Sequence, residues 1–442
     1  MIKIPQNTFL KNWTILALMY IISISLHDIL LLPLVLRKIQ PPEVIFLLTI
    51  IFLLFNLKKI PFSKLRWNNL DTALLIYLVV VFGTSCFSRN LRPFLEFFGL
   101  CYLLTNYFIV RLFLVCIENK LNKTISKGII WMGLLAAIFG ISGIFATYFF
   151  GENTLGFIYK DYPYLGDTIR VEGFTSTPHM LASILNLSIL FVLISFLEKM
   201  NFQKFILLLI LSLAYIFTFA KIVVLLIIGA IFIFIKKQKV YLNPVLKNSL
   251  RLVSLLLFTI YMLGTHFILV SKNNPNLDVI KESAFNTGEI IGETQNNYII
   301  PTTYFTLKQS ALYLGKKYWF TGIGAGNHGD YFHELKEEGL FPKHIPNYDP
   351  HSTYFGSFAE TGLFGLAAIL YLTFVLFKMS NHLLKTKKYY NLKIAVAACL
   401  LIFAMEAISV DAINFRHLWL IFTILSAIYN LEQNQKLGKN LT

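Results

Sequence analysis

Apolar runs of about 20 residues recur along the whole chain, the length a helix needs to cross roughly 30 Å of hydrocarbon. Inside lipid every backbone N–H and C=O must find its partner within the protein, so segments of this kind span as helices. Of 442 residues, 56% are hydrophobic and 14% charged, where a soluble chain carries about 25% charged residues. This excludes a soluble globular enzyme, a disordered chain and a disulfide-stapled secreted domain. The expected fold class is an all-α polytopic membrane protein of about 12 transmembrane helices. They are read near residues 12–31, 43–57, 72–87, 93–116, 128–150, 179–197, 203–219, 221–236, 250–271, 353–377, 393–410 and 415–431. The first run is too long for a cleavable signal peptide and lacks a small-residue cleavage site, so it reads as a signal anchor.

A net charge of +16 raises the question of nucleic acid, but no basic stripe interleaved with aromatics is present. The cations fall in alternate connections instead, as the positive-inside rule requires. With the N-terminus inside, the inner segments hold 24 Lys/Arg and the short outer ones 8, while 7 lie in one long connection. That places both termini in the cytoplasm and the long connection outside. The four cysteines, Cys86, Cys101, Cys116 and Cys399, sit in or beside apolar runs without ligand spacing and read as small buried hydrophobes.

Three regions follow: an N-terminal bundle of about nine helices over 1–271, with an outer loop at 151–178; a periplasmic loop over 272–352; and C-terminal helices over 353–442. A connection of about 80 residues far exceeds ordinary loop lengths and points to function. Within it, Thr303–Phe320 has the pattern of a helix lying on the membrane surface. After Gly322, Gly324 and Gly326, Asp330 is placed to cap a short helix ended by Gly339. His328, His333 and His344 read as solvated loop residues.

The familiar nucleotide and hydrolase signatures are missing: no DxD pair, no Walker A, no HExxH, no GxSxG. Any chemistry must therefore draw its energy from the substrate. Ionisable groups gather on the outer side at Arg170–His179 (R-V-E-G-F-T-S-T-P-H), at Lys221, at Lys308, and at Pro350–Tyr354, which runs into Glu360-Thr361-Gly362. Transfer of a sugar from a lipid diphosphate builds negative charge on the departing oxygen, which fixed Arg and Lys side chains stabilise. The acceptor hydroxyl must also lose a proton, and histidine suits that role near neutral pH. His351 stands at a helix start, where the dipole disfavours imidazolium. Glu360 lies 9 residues on, about 13 Å along a helix, too far to orient His351, and reads as capping a buried polar contact.

These elements together resemble the O-antigen ligase/polymerase family of bacterial envelope glycosyltransferases. The matching parts are R-x-x-G-F-x-x-x-P at Arg170–Pro178, G-x-G-x-G at Gly322–Gly326, and H-[NS]-x-[YF]…E-x-G-x-x-G at His351–Gly365, the last being the most specific. The resemblance implies a GT-C-like fold and an inverting, metal-independent enzyme of the inner membrane that needs no cofactor. Its donor would be an undecaprenyl-diphosphate-linked glycan. Its acceptor would be lipid A-core or another glycan, met at the periplasmic face of the bilayer. By position, His351 would be the catalytic histidine and Arg170, Lys221 and Lys308 the diphosphate contacts, with Glu360, Tyr354, Arg89 and Arg92 in support. Lys221 and Lys308 stand where the family usually carries arginine, and His179 where asparagine is common. Both lysines keep the charge and lose the bidentate grip.

Blander readings stand beside these. Arg170, Lys221, Arg89 and Arg92 suit interfacial anchoring by snorkelling, Lys308 the wet face of an amphipathic helix, and His351 an idle loop position. The acidic and histidine residues in or near the spans, His27, Asp28, Glu96, Glu406 and Asp411, are costly in lipid and hint at function. A ligase is favoured over a polymerase because one outer loop dominates. A polysaccharide flippase or secondary transporter predicts two related halves, which are not detectable; a non-catalytic relative predicts that His351 is dispensable.

Overall fold

The computed structural model describes residues 6–26, 40–88, 90–151, 158–160, 169–238, 242–275, 277–281 and 287–440. Of the expected features, Arg89, His27 and Asp28 lie outside them. The protein is a helical membrane protein, 74% helix. The N-terminal half builds α1 (Gln6–Ser23), α2 (Pro41–Leu54), α3 (Asn69–Ser85), α4 (Arg92–Cys116) and α5 (Leu121–Phe150), then α6 (Pro178–Glu198), α7 (Phe202–Phe217), α8 (Val223–Lys237) and α9 (Pro244–His266). Two short helices, α10 (Leu277–Lys281) and α12 (Phe332–Glu337), flank α11 (Thr303–Lys317) in the long loop. Then come α13 (Thr353–Leu383), α14 (Tyr390–Glu406) and α15 (Arg416–Asn440).

Helices stand at all twelve positions read from the sequence. Among the described residues six segments are long and apolar enough to cross a membrane: Thr8–Leu26, α4, Glu118–Phe150, α6, α9 and α13. The helix expected at 250–271 stops at His266, because the chain turns there into a strand. Strand β3 (Phe267–Ser271) pairs antiparallel with β5 (Asn297–Pro301), which also pairs with β4 (Gly292–Glu293). In the 151–178 loop, β1 (Ile158–Lys160) and β2 (Ile169–Val171) form a small hairpin, with Tyr159 opposite Arg170.

Local chemistry explains where the helices begin. Asn68 caps α3 by accepting from the amides of Leu70 and Asp71, while Asp71 reaches back to the Asn68 amide at 2.8 Å. Thr177 accepts from the Met180 amide at 3.1 Å and Pro178 occupies the first turn of α6, where its missing donor costs nothing. Ser352 caps α13 through the Phe355 amide.

Helix α6 is the most deeply enclosed of the spans, with α5, α7, α8 and α14 packed around it. Its residues Leu181, Ile184, Leu185 and Leu190 are fully buried. Helix α9, by contrast, leaves Leu252, Leu255, Leu256 and Leu263 exposed along an apolar face suited to lipid. The loop carries its own small core. Leu307, Ala311 and Leu314 of α11 close on Ile323, Phe332, Phe341 and Ile345 and on Ala359 of α13. So α11 rests with one face on α13, leaving Leu312, Tyr313 and the following Trp319 exposed.

Candidate active site

The G-x-G-x-G turn and the E-x-G-x-x-G run are two halves of one joint. Gly322 has φ +66° and Gly362 φ +67°, a region open to glycine without strain. Gly362 interrupts α13 with a kink. The turn lies on that kink: Ile323 and Gly324 donate to the carbonyls of Ala359 and Glu360 at 3.0 and 2.8 Å, and Leu363 donates to Trp319 at 2.8 Å. A Cβ on Gly322 would run into the Glu360 backbone, and one on Gly362 into the Phe320 carbonyl. The motif therefore locks the loop onto the helix that carries His351.

His351 itself has φ +45°, uncommon for a residue with a side chain. This bend lets Ser352 begin the helix while the ring turns back under the loop, 5.2 Å from the Tyr304 ring and 5.8 Å from that of Tyr348. Burial of the ring, then the charges of His179 and Lys308, bring its pKa down to about 4, so the imidazole is neutral at physiological pH.

Lys308 is not on a wet face: it is 7% exposed. Its Nζ sits 2.6 Å from Nε2 of His266, whose Nδ1 bonds the Met262 carbonyl at 2.6 Å. Nδ1 as donor makes Nε2 the acceptor for the lysine. Loss of water lowers the Lys308 pKa to about 7. Lys221, in the turn between α7 and α8, is exposed as a residue, yet its ammonium is docked on the Gly264 carbonyl at 2.7 Å. Desolvation of that tip, then the neighbouring Arg170 charge, lowers its pKa to about 8. Arg170, on β2, donates from Nε to the Thr218 carbonyl at 3.0 Å, at the start of the same turn. Arg170, Lys221, Lys308 and His351 thus form one electrostatically linked group, threaded through His266.

The remaining candidates lie apart from it. Arg92 opens α4 and faces Asp330 and Asp349, each at 3.7 Å. Arg92, Glu96, Glu360, Asp411 and Tyr77 line a separate polar cavity, which Asp349 and Pro350 border next to His351. Burial and then Asp349 raise the Asp411 pKa to about 6. Glu360 belongs to this cavity and not to the histidine, in keeping with the distance along the helix. Asp330 does not cap the short helix as expected, because residues 328–331 already form a 3-10 turn ahead of α12 and the carboxylate turns to Arg92. Tyr354 points away from the site, its hydroxyl donating to the Ala404 carbonyl at 3.2 Å, and lines an apolar cavity between α13 and α14. His328 is not solvated but fully buried, bonded to Ser310 and to the Tyr348 carbonyl. It thereby holds the ring that faces His351.

Sequence reading missed His266 and Tyr304 as parts of the site. A histidine at the expected outer end of an apolar helix was the available signal, masked by running that helix on to residue 271. Among the described residues no three His, Cys, Asp or Glu side chains are grouped to hold a metal ion. Residues 205–370 match the family model described as O-antigen ligase. That stretch contains Lys221, His266, Lys308 and His351 and leaves Arg170 upstream. No curated protein matches the chain.

Proposed function

We propose, from the premise that this chain belongs to the O-antigen ligase/polymerase family through residues 205–370, that it is an inverting glycosyltransferase. It would move a glycan from undecaprenyl diphosphate to an acceptor on the periplasmic face of the inner membrane. The observation that carries this reading is the group of three cations, Arg170, Lys221 and Lys308, beside one neutral, half-buried histidine. Lys221 and Lys308 are held by a carbonyl and an imidazole, with no carboxylate against either among the described residues. Their charge is left for an anion from outside. A diphosphate that gains charge as its bond to sugar breaks is the ligand such a site favours.

In this mechanism the acceptor oxygen attacks the anomeric carbon from the face opposite the diphosphate. The carbon–oxygen bond to the diphosphate breaks, its electron pair leaving on the oxygen that the cations face. His351, already neutral, accepts the proton the acceptor hydroxyl releases. The arrangement crosses the membrane twelve times, GT-C-like, with both termini in the cytoplasm. Its three regions are 1–271, 272–352 and 353–442, with the middle one catalytic. The split of 24 inner to 8 outer cations supports this orientation. Lipid A-core is the acceptor favoured by the single dominant outer loop, which makes the enzyme a ligase; glycan on the lipid carrier would make it a polymerase.

The test is the glycolipid pattern of a deletion strain complemented with wild type or His351→Ala. Long glycan retained on undecaprenyl diphosphate with bare core identifies a ligase that uses His351. Core bearing a single repeat identifies a polymerase. A normal pattern, with the variant present in the membrane, removes His351 from the chemistry.

A further inference from the structure

A polar chain that the mechanism above leaves idle runs beneath the start of α13. His179, the second residue of α6, places Nε2 2.9 Å from Oε1 of Glu406 at the end of α14. The carboxylate is fully buried, while the imidazole keeps 22% exposure. The other carboxylate oxygen accepts from Ser183 Oγ at 3.1 Å, and Ser183 Oγ lies 2.9 Å from Nε2 of His417, also fully buried. An ionised carboxylate this deep demands partners, and it has gathered two from α6, with His417 of α15 behind Ser183.

This chain abuts the site. The Thr353 amide and the Ser352 hydroxyl both bond the Ala407 carbonyl, at 2.8 and 3.2 Å. Ala407 is the residue after Glu406, so the segment that carries His351 is pinned one residue from the carboxylate. The two histidines differ in what stands behind them. His351 has the Tyr304 and Tyr348 rings and the Lys308 charge around it and no carboxylate bonded to it among the described residues, so a proton taken up there has no counter-charge. His179 has Glu406 at its back. A carboxylate on one ring nitrogen fixes the tautomer, leaves the other nitrogen as acceptor, and stabilises the imidazolium once it forms. Nδ1 of His179 has no hydrogen-bond partner among the described residues.

We propose that His179, oriented by Glu406, is a second proton-accepting residue of the site, and that the acceptor's proton comes to rest on its Nδ1. The proposal rests on the glycosyl-transfer reading above. The acceptor O–H bond breaks as its oxygen bonds the anomeric carbon, and the diphosphate departs with the electron pair. The proton passes from His351 to His179, whose new positive charge Glu406 neutralises, and then to water. Glu406 is a positioning residue; Ser183, itself bonded to His417, holds its second oxygen.

The experiment follows pulse-labelled glycan leaving the lipid carrier in cells that carry wild type, His179→Gly, His179→Asn or Glu406→Gln, at matched protein levels in the membrane. His179→Gly is expected to slow transfer by about 10²-fold, the lower range for a general base, and imidazole in the medium to restore at least part of that loss. Glu406→Gln keeps the size but removes the charge and one of the two acceptor oxygens, and is expected to slow transfer about tenfold, less than the roughly 10²-fold loss of the base itself. Wild-type rates in His179→Asn or Glu406→Gln overturn the proposal. So does a slow but folded glycine variant that imidazole leaves unchanged, which marks a structural role. Should the glycine variant not reach the membrane, His179→Asn decides, since it fills the site without a basic nitrogen. If wild type leaves the glycolipids of the deletion strain unaltered, the glycosyl-transfer reading itself fails. If wild type alters them and His179→Asn matches it, only this proposal fails.

Discussion

Two buried cations in this protein are handled in opposite ways. Arg111, on α4, is fully buried, and its guanidinium meets the equally buried Asp71 of α3 at 2.5 Å. Tyr107 also bonds Asp71, Asn430 bonds Arg111, and the carbonyl of Arg66 accepts from its second nitrogen. The charge is cancelled where it stands, and the cluster ties α3 and α4 to α15. Lys308 is buried to a similar degree, but its partner is the imidazole of His266. No carboxylate among the described residues cancels its charge, and Lys221 is held the same way by a carbonyl. The inner cluster balances its charge without a ligand. Under the proposed function the outer one is completed by an anion, which is the physical difference between a joint and a site.

Breaking each region should therefore damage different things. The largest expected effect is on chemistry. His351→Ala removes the proton acceptor and should lower transfer by about 10²- to 10⁴-fold, while the amount and melting temperature of the purified protein change little. Initial rates of glycan release, set beside thermal unfolding in detergent, check this. A variant that melts early and turns over normally would reverse the assignment.

Asp71→Asn is the matching break on the inner side. It leaves Arg111 charged and buried without its carboxylate, which costs about 3–5 kcal/mol. Unfolding measurements should show that loss, and the protein that remains folded should transfer glycan at the wild-type rate per molecule. Equal losses of rate and stability would mean that the two regions are one cooperative unit.

How far the sequence foretells this contrast depends on the range of the interaction. Apolar runs are local, so the helices appear where they are read, and Lys308 falls on α11 as its pattern predicts. The pairs that give each charge its meaning are not local. Asp71 and Arg111 are 40 residues apart, Lys308 and His266 42, and His179 and Glu406 227. No periodicity links such residues, and only helix packing brings them together. The glycine motifs lie between these cases. G-x-G-x-G and E-x-G-x-x-G can each be seen in the chain, but that one docks on the other, with Gly322 against the Glu360 carbonyl, is a fact of the fold. Burial is equally hidden: the same pattern that places Lys308 on α11 left it on the solvent side.

A subtler effect sharpens the comparison through pH. The folded pKa of Lys308, about 7, lies below its ordinary 10.5, so folding favours the neutral amine. Below about pH 7 the fold carries the full cost of a buried ammonium. That cost is relieved as pH rises from about 7 towards 10.5, so this residue's contribution to stability improves with pH in that window. Binding of a diphosphate works the other way, because the anion draws the proton in. Donor affinity should therefore fall as pH rises above about 7, with Lys221, at about 8, adding to the slope. Lys308→Arg stays charged throughout and should flatten the alkaline limb while keeping affinity near neutral pH. Donor-binding isotherms from pH 6 to 9 on the two proteins would show it, and parallel slopes would mean that Lys308 does not face the phosphate.

The smallest effect belongs to a residue of neither region. Tyr354 follows His351 by three positions and shares its motif, which invites a catalytic role, yet its hydroxyl meets the Ala404 carbonyl at 3.2 Å, between α13 and α14. Tyr354→Phe keeps the ring and removes one hydrogen bond, worth about 0.5–1.5 kcal/mol. It should lower the unfolding free energy by no more than that and leave the rate of transfer and its pH profile untouched. A rate loss of tenfold or more in this variant would show that α13 passes strain from α14 to His351, and would extend the site to a helix contact that faces away from it.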